Sequence, residues 1–276
     1  MKTVNLKDWI QFSERAYSRS YQSQDGKLML KLATNEEAII SALKNEYRIS
    51  KLANELGVPS PKVLDMVQAD DGSLGVIYEY VPNKLSFSRA ISQDPDNIEM
   101  YMESFAQVVK KFHSIEANTD ILPSFESKML SGLKRTHIFT EAEKERILSE
   151  YETLPKGTKC LHTDMQLSNA VFSKEGCYII DLGLMCYGNP LIDVGTMYCL
   201  SHFLNEELTQ ALFHMNQETL LKCWKLYAKY YFDTENIDEV EAFIKPYAKV
   251  SCFGVLNILN DEDAISIING KDYILS

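Results

Sequence analysis

The sequence predicts an α+β fold, with a small β-rich part at the N-terminus and a larger, mainly helical part after it. Strand-like runs separated by Asp-Gly turns fill residues 1–81. Beyond residue 82, apolar residues recur at helical spacing over most of the chain. Between 161 and 183, two short hydrophobic runs that each end in an acid interrupt the helices.

The elements follow in order. Residues 17–21 and 28–32 are strand-like and flank Gln24-Asp25-Gly26, a hairpin signal. Asn35 is placed to cap a helix, and the clear helical run is 41–56, with Leu43, Tyr47, Leu52 and Leu56 near helical spacing. Gly57 stands where a helix stops, and Pro59 and Pro61 keep the chain extended. Two more strands, 62–68 and 75–81, are joined by Asp70-Asp71-Gly72. Pro82-Asn83 reads as a hinge, giving an N-lobe of residues 1–81 and a C-lobe of residues 82–276. In the second part, 98–115 is amphipathic, with Phe105, Val108, Val109, Phe112 and Ile115 on one face. Helices are expected at 141–151, 194–203, 206–213, 217–232 and 239–259, whereas 121–140 carries no readable motif and reads as a loop.

Composition narrows the function classes. A hydrophobic content of 45% and a charged content of 24% describe an ordinary globular chain able to bury a core. No apolar run is long enough for a membrane span, and the N-terminus lacks the apolar region of a secretion signal. The six cysteines form no C-x-x-C pair, which removes the zinc and thiol-redox motifs and suits reduced, buried thiols in the cytoplasm. Residues 1–84 carry eleven basic and eleven acidic side chains, so the whole net charge of −11 falls on the remainder. That balance speaks against nucleic acid as a partner and would suit a cationic small molecule, or else is a solvated face.

Residues 161–183 read LHTDMQLSNAVFSKEGCYIIDLG. Asp164 is followed five residues later by Asn169, and Asp181 comes twelve residues after that. This is the order and spacing of a kinase catalytic loop followed by a metal loop. Phosphoryl transfer needs a carboxylate to orient the attacking hydroxyl and take its proton, and an amide oxygen and a second carboxylate to hold Mg2+ against the phosphates. A lysine inside an apolar strand, Lys31, needs an anionic partner. Glu46 on the next helix is the candidate; the alternative is that Lys31 points to solvent from an edge strand.

With the 17–32 run, Gly57-Val58-Pro59-Ser60-Pro61, Phe112-His113-Ser114 and Gly188-Asn189-Pro190-Leu191-Ile192-Asp193, the chain resembles the aminoglycoside phosphotransferase and choline kinase-like family over residues 12–203. The resemblance implies a bilobal protein-kinase-like fold and transfer of the γ-phosphate of ATP or GTP to a small-molecule hydroxyl. On that basis Asp164 is the catalytic base, Asn169 and Asp181 bind Mg2+, and Asn169, Lys31, Glu46 and Ser18 contact the nucleotide phosphates or position their ligands. Backbone groups at Glu79 and Val81 read the base edge. Tyr78 takes the gatekeeper position, where a bulky ring narrows the adenine pocket and favours GTP. His162 supports the loop through a backbone hydrogen bond, and Asp193 holds the loop rather than meeting substrate. His113, His202 and His214 read as ordinary helix residues, and Asp261-Glu262-Asp263 as a solvated turn.

The chain departs from the family pattern in three places. Thr163 stands where the family has glycine, Met165-Gln166-Leu167-Ser168 replaces the common histidine, proline and glycine, and the phosphate loop at 14–20 contains no glycine. The expected activity is therefore a small-molecule kinase. The alternatives are a kinase of a metabolic amino-alcohol or sugar of choline, hexosamine or fructosamine type, and a pseudokinase that binds a nucleotide or partner without transfer. A protein kinase is disfavoured, since no G-x-G-x-x-G loop and no A-P-E are present.

Overall fold

The computed structural model describes residues 1–15, 18–34 and 36–258. The Asn35 cap, the middle of the phosphate loop at 16–17 and the Asp261-Glu262-Asp263 turn lie outside the described residues. The fold is α+β, with a mixed sheet in the N-terminal part and helices in the C-terminal part. The chain divides into two compact units, Met1–Lys84 with Val171–Leu184, and Leu85–Ala170 with Met185–Ser276.

The first unit opens with strands β1 (Lys2–Val4), β2 (Trp9–Arg15), β3 (Ser18–Ser23) and β4 (Leu28–Ala33), then helix α1 (Glu37–Glu55), β5 (Val63–Ala69) and β6 (Leu74–Glu79). The six strands form one sheet in the order β1-β5-β6-β4-β3-β2, antiparallel except for β1 against β5. The β3–β4 turn forms because Gly26 takes φ +72° at no steric cost and donates its N–H to the Ser23 carbonyl at 2.9 Å. Alternation along β4 then sends Leu30 and Leu32 to one face, where they are fully buried with Tyr21, Val67 and Ile77. Each such leucine contributes about 1.5–3 kcal/mol on burial. Gly75 of β6 lies beneath them, and a Cβ there would meet Leu32 Cδ2 at 2.5 Å and Leu30 Cδ1 at 2.8 Å. On the other face Val76, Tyr78 and Ala33 pack with Met29 and with Leu43, Ile40 and Tyr47 of α1. Lys31 falls on this helix-facing side, which decides its partner. Helix α1 begins at Glu37, four residues before the expected start, because Ile39 and Ile40 already pack on the sheet.

The chain continues through β7 (Leu85–Ser86), α2 (Phe87–Gln93), α3 (Ile98–His113), α4 (Phe125–Arg135), α5 (Glu141–Thr153) and β8 (Lys159–Leu161). Strands β9 (Ala170–Ser173) and β10 (Gly176–Ile179) lie next to one another, and the Ile179 N–H donates to the Pro59 carbonyl at 2.7 Å within the first unit. The second unit resumes with β11 (Cys186–Gly188), α6 (Leu191–Phe203), α7 (Glu206–Phe213), α8 (Gln217–Phe232) and α9 (Ile237–Ile258). Phe105 of α3 anchors its core, with ring centroids 5.4 Å from Phe87 and 5.3 Å from Tyr227. Strand β8 pairs antiparallel with β11, and the expected catalytic loop leaves from the end of β8.

One expectation is corrected. The stretch 121–140 is not a loop throughout, because α4 occupies Phe125–Arg135. Ser124 caps it by accepting the Ser127 N–H, and Phe125, Met129 and Leu133 repeat every fourth residue on its buried face. Only three apolar anchors, diluted by lysines and a glycine, made the periodicity too weak to read. No helix among the described residues is long and apolar enough to cross a membrane.

Candidate active site

In the first unit, Lys31 Nζ meets Glu46 Oε2 at 2.7 Å and Oε1 at 2.9 Å. The Tyr78 hydroxyl donates to the same Oε1 at 2.9 Å, so the neighbouring strands β4 and β6 both hold the carboxylate. Burial, then the charge and hydrogen bond of Glu46, push the Tyr78 phenol far above its ordinary value and keep it a donor. The ring therefore points its oxygen at the ion pair. Asp181 follows β10 with φ +62°, and its Oδ1 lies 3.9 Å from Lys31 Nζ, its side chain 60% exposed. The next turn is tied to α1 through the Asn45 amide, which donates to the Gly183 carbonyl at 2.8 Å.

These groups share one wall of a cavity of about 420 Å3. Lys31, Glu46, Tyr78 and Asp181 are among its lining residues, with Ser18 and Ser20 of β3 and with Met29, Phe12 and Lys84. Ser20 pairs with Lys31 across the ladder, so the serines run alongside the lysine. Glu79 and Val81 are not among the described lining residues. The Glu79 N–H donates to the Lys62 carbonyl at 2.8 Å, and Val81 is buried. Lys84, Phe12 and Met29 were not singled out from the sequence. Lys84 follows the Pro82-Asn83 hinge directly, and nothing in the local sequence shows where its side chain goes.

The second unit builds the loop around Asp164 from below. Asp193, in the first turn of α6, is fully buried and accepts three donors. The His162 N–H lies at 2.7 Å, the Thr163 N–H at 2.8 Å and His113 Nε2 at 3.1 Å. Burial raises the Asp193 pKa, but the His113 hydrogen bond, the histidine charges and the His162 N–H outweigh it and leave the carboxyl below its ordinary range. His113 is thus no ordinary helix residue: its Nδ1 also meets the Tyr231 hydroxyl at 2.8 Å, which links α3, α6 and α8 to the loop. The His162 ring turns its Nδ1 back to accept the Asp164 N–H at 3.3 Å. Asn169 Nδ2 donates to Asp164 Oδ2 at 2.7 Å and to its carbonyl at 2.9 Å, so one amide fixes both ends of the Asp164 residue. With its amide N–H groups turned toward Asp164, Asn169 keeps its side-chain oxygen as an acceptor, and within the first unit Asp181 carries an exposed carboxylate; both are the hard oxygen donors that Mg2+ takes.

Thr163 has φ +68°, the left-handed conformation that a glycine adopts freely and a β-branched residue does not. Its N–H on Asp193 and its Oγ1, which accepts from Lys128 Nζ of α4 at 3.4 Å, help to hold it there. Burial lowers the Lys128 pKa. Thr163→Gly is expected to release the strain and stabilise the protein by about 1 kcal/mol, a rise in Tm of roughly 2–4 °C. A thermal melt checks this, and a lower Tm would show that the Lys128 contact outweighs the strain.

The fold is shared with proteins of known structure. A thermostable mutant of aminoglycoside phosphotransferase APH(4)-Ia, in a ternary complex with AMP-PNP and hygromycin B, is similar in fold at a TM-score of 0.65 and 15% identity, covering 97% of this chain and 93% of that one. ADP-bound APH(2'')-Ib gives a TM-score of 0.62 at 15% identity, over 96% of this chain and 94% of that one. The choline kinase LicA from Streptococcus pneumoniae gives 0.59 at 14% identity, over 97% and 92%. Among curated proteins, acyl-CoA dehydrogenase family member 10 from Mus musculus is 28% identical over an alignment of 184 residues, and the match covers 59% of this chain and 17% of that protein. The chain therefore corresponds to about a sixth of that relative's length. The model of the phosphotransferase enzyme family, APH, matches residues 8–230, most of the chain, with Lys31, Glu46, Asp164, Asn169, Asp181 and Asp193 inside the match, and the protein belongs to that family.

Proposed function

We propose that the protein is a small-molecule kinase that transfers the γ-phosphate of ATP or GTP to a hydroxyl of its acceptor. The observation that carries this reading is the Lys31–Glu46 ion pair with Asp181 beside it at one end of the cavity. Lys31 places a fixed positive charge for the α- and β-phosphates, and Glu46 with Tyr78 keeps its ammonium from turning away. Ser18 and Ser20 offer hydroxyls to the phosphates in a loop without glycine. Glu79 and Val81 retain their proposed role of meeting the base edge through the backbone.

Asp164 orients the acceptor hydroxyl and takes its proton as the new oxygen–phosphorus bond forms and the bond to the β-phosphate oxygen breaks, releasing the nucleoside diphosphate. Asn169 keeps that carboxylate turned toward the acceptor, and Asp193 keeps the whole loop in place through His162 and Thr163. The Asn169 oxygen and the Asp181 carboxylate are the groups that would hold Mg2+, which when bound neutralises phosphate charge. The similar structures include aminoglycoside phosphotransferases and a choline kinase, and the net charge of −11 favours a cationic acceptor, so an amino sugar or amino-alcohol is the class proposed. The six cysteines, five of them buried, support a cytoplasmic location.

Thermal shift tests the reading directly, with ATP and with GTP, each with and without Mg2+. A nucleotide at a hundred times its Kd adds about 2.7 kcal/mol, and the shift is expected only with metal. No shift with either nucleotide would put a partner-binding pseudokinase in its place. A metal-dependent shift is followed by a screen of amino sugars and amino-alcohols for ADP or GDP release.

A further inference from the structure

The cavity wall holds another lysine whose charge the proposed chemistry does not use. Lys84, directly after the hinge residue Asn83 (φ +50°), lines the same cavity as Lys31. The two differ in their surroundings. Lys31 is answered by Glu46 at 2.7 Å. Lys84 Nζ meets the Met29 thioether at 3.7 Å and lies 5.9 Å from the Tyr80 ring centre, and no carboxylate among the described residues reaches it. Sulfur is a weak acceptor, so a half-buried ammonium here is poorly satisfied. Burial accordingly lowers its pKa, and nothing in its surroundings opposes that shift.

The position decides what the ammonium can meet. Met29 and Lys31 are two residues apart on β4 and face the same side, about 6–7 Å apart along the wall. A nucleotide whose phosphates lie at Lys31 and Asp181 therefore extends its other end toward Met29 and Lys84. That end is the base. Tyr78, the other polar ring on this side of the sheet, has committed its hydroxyl to Glu46.

Resting on the reading of this cavity as the nucleotide site, we propose that Lys84 reads the base and selects an oxo-purine, donating from Nζ to the exocyclic carbonyl oxygen. An ammonium has three donors and no acceptor. Guanine and hypoxanthine present a carbonyl oxygen beside a ring nitrogen, two acceptors that a lysine fits well. Adenine presents an amino group in that place, which sets donor against donor. The hydrogen bond now made to sulfur is exchanged for a charge-assisted one to oxygen, and GTP is preferred over ATP.

Equilibrium titration of the full chain with GTP, inosine triphosphate and ATP, each with Mg2+, tests this. Wild-type protein is expected to bind GTP and inosine triphosphate at least about tenfold tighter than ATP. Lys84→Met should erase that ratio by weakening the two oxo-purines and leaving ATP as it was, and Lys84→Arg should keep it. The variant loses a poorly satisfied buried charge, so its Tm should not fall. Equal affinity of the wild type for ATP and GTP overturns the proposal. So does an equal loss for all three nucleotides in Lys84→Met, which would put the ammonium on the ribose or phosphates. Inosine triphosphate binding as weakly as ATP would assign the selection to the guanine amino group and also overturn it. If the wild type binds none of the three, the nucleotide reading of the cavity itself fails.

Discussion

Asp193→Ala is expected to cost about 3–5 kcal/mol, a large share of the 5–15 kcal/mol that holds a typical domain together. The side chain is fully buried, and its two oxygens accept the His162 and Thr163 N–H groups and His113 Nε2. Removing it strands three donors where water cannot replace the acceptor, and each unsatisfied group adds its own desolvation penalty. The acid limb of stability changes too. Because the folded Asp193 pKa lies below its ordinary value, its contribution is complete above pH of about 4 and disappears as pH falls through the lower, folded pKa. Urea denaturation at pH 7 and at successively lower pH checks both effects, and the variant should show a shallower fall in acid. Asp193→Asn keeps the volume and one acceptor oxygen, so it should lie between wild type and alanine. A loss below about 1 kcal/mol for the alanine variant would mean that the loop is held by other contacts.

Asp164→Ala is expected to lower turnover by about 10²–10⁴-fold, the usual contribution of a positioned general base. Nucleotide binding should survive, because the proposed phosphate contacts come from Lys31 and its partners in the first unit. Asp181→Ala should do the reverse and abolish the metal-dependent part of nucleotide binding. Asp164→Asn is the control for structure, since an amide in the same place can still accept from Asn169 Nδ2. Single-turnover rates together with thermal shifts separate the two roles. A rate for Asp164→Ala within a few-fold of wild type would remove Asp164 from the mechanism.

How much of this was legible in the sequence depended on how local the determining contact is. Helices α7 and α8 could be bounded to the residue because Asn205 and Asn216 cap them and their apolar spacing is regular. The Asp164–Asn169–Asp181 spacing could be read because these groups sit on one short stretch. Strands β1 and β2 could not. β1 is three residues long, and its partner β5 lies some sixty residues away, so no local pattern announces it. Lys31 could be given to Glu46 because a charge in an apolar strand demands a partner, but Tyr78 joining the same carboxylate needed the register of β4 against β6, which pairs Met29 with Tyr78. Thr163 could be flagged as a departure from glycine, yet only its φ shows that the departure is carried as strain rather than removed by a different turn.

Glu46 is gripped by Lys31 and Tyr78, and its neighbour Asn45 holds the turn after Asp181. A helix fastened to two strands and a loop at adjacent residues has little freedom to swing, so the two-state repositioning by which many phosphoryl-transfer proteins are switched would have to break several bonds together. The expected consequence is a response to acceptor that is hyperbolic and without lag, which initial-rate and progress curves would check.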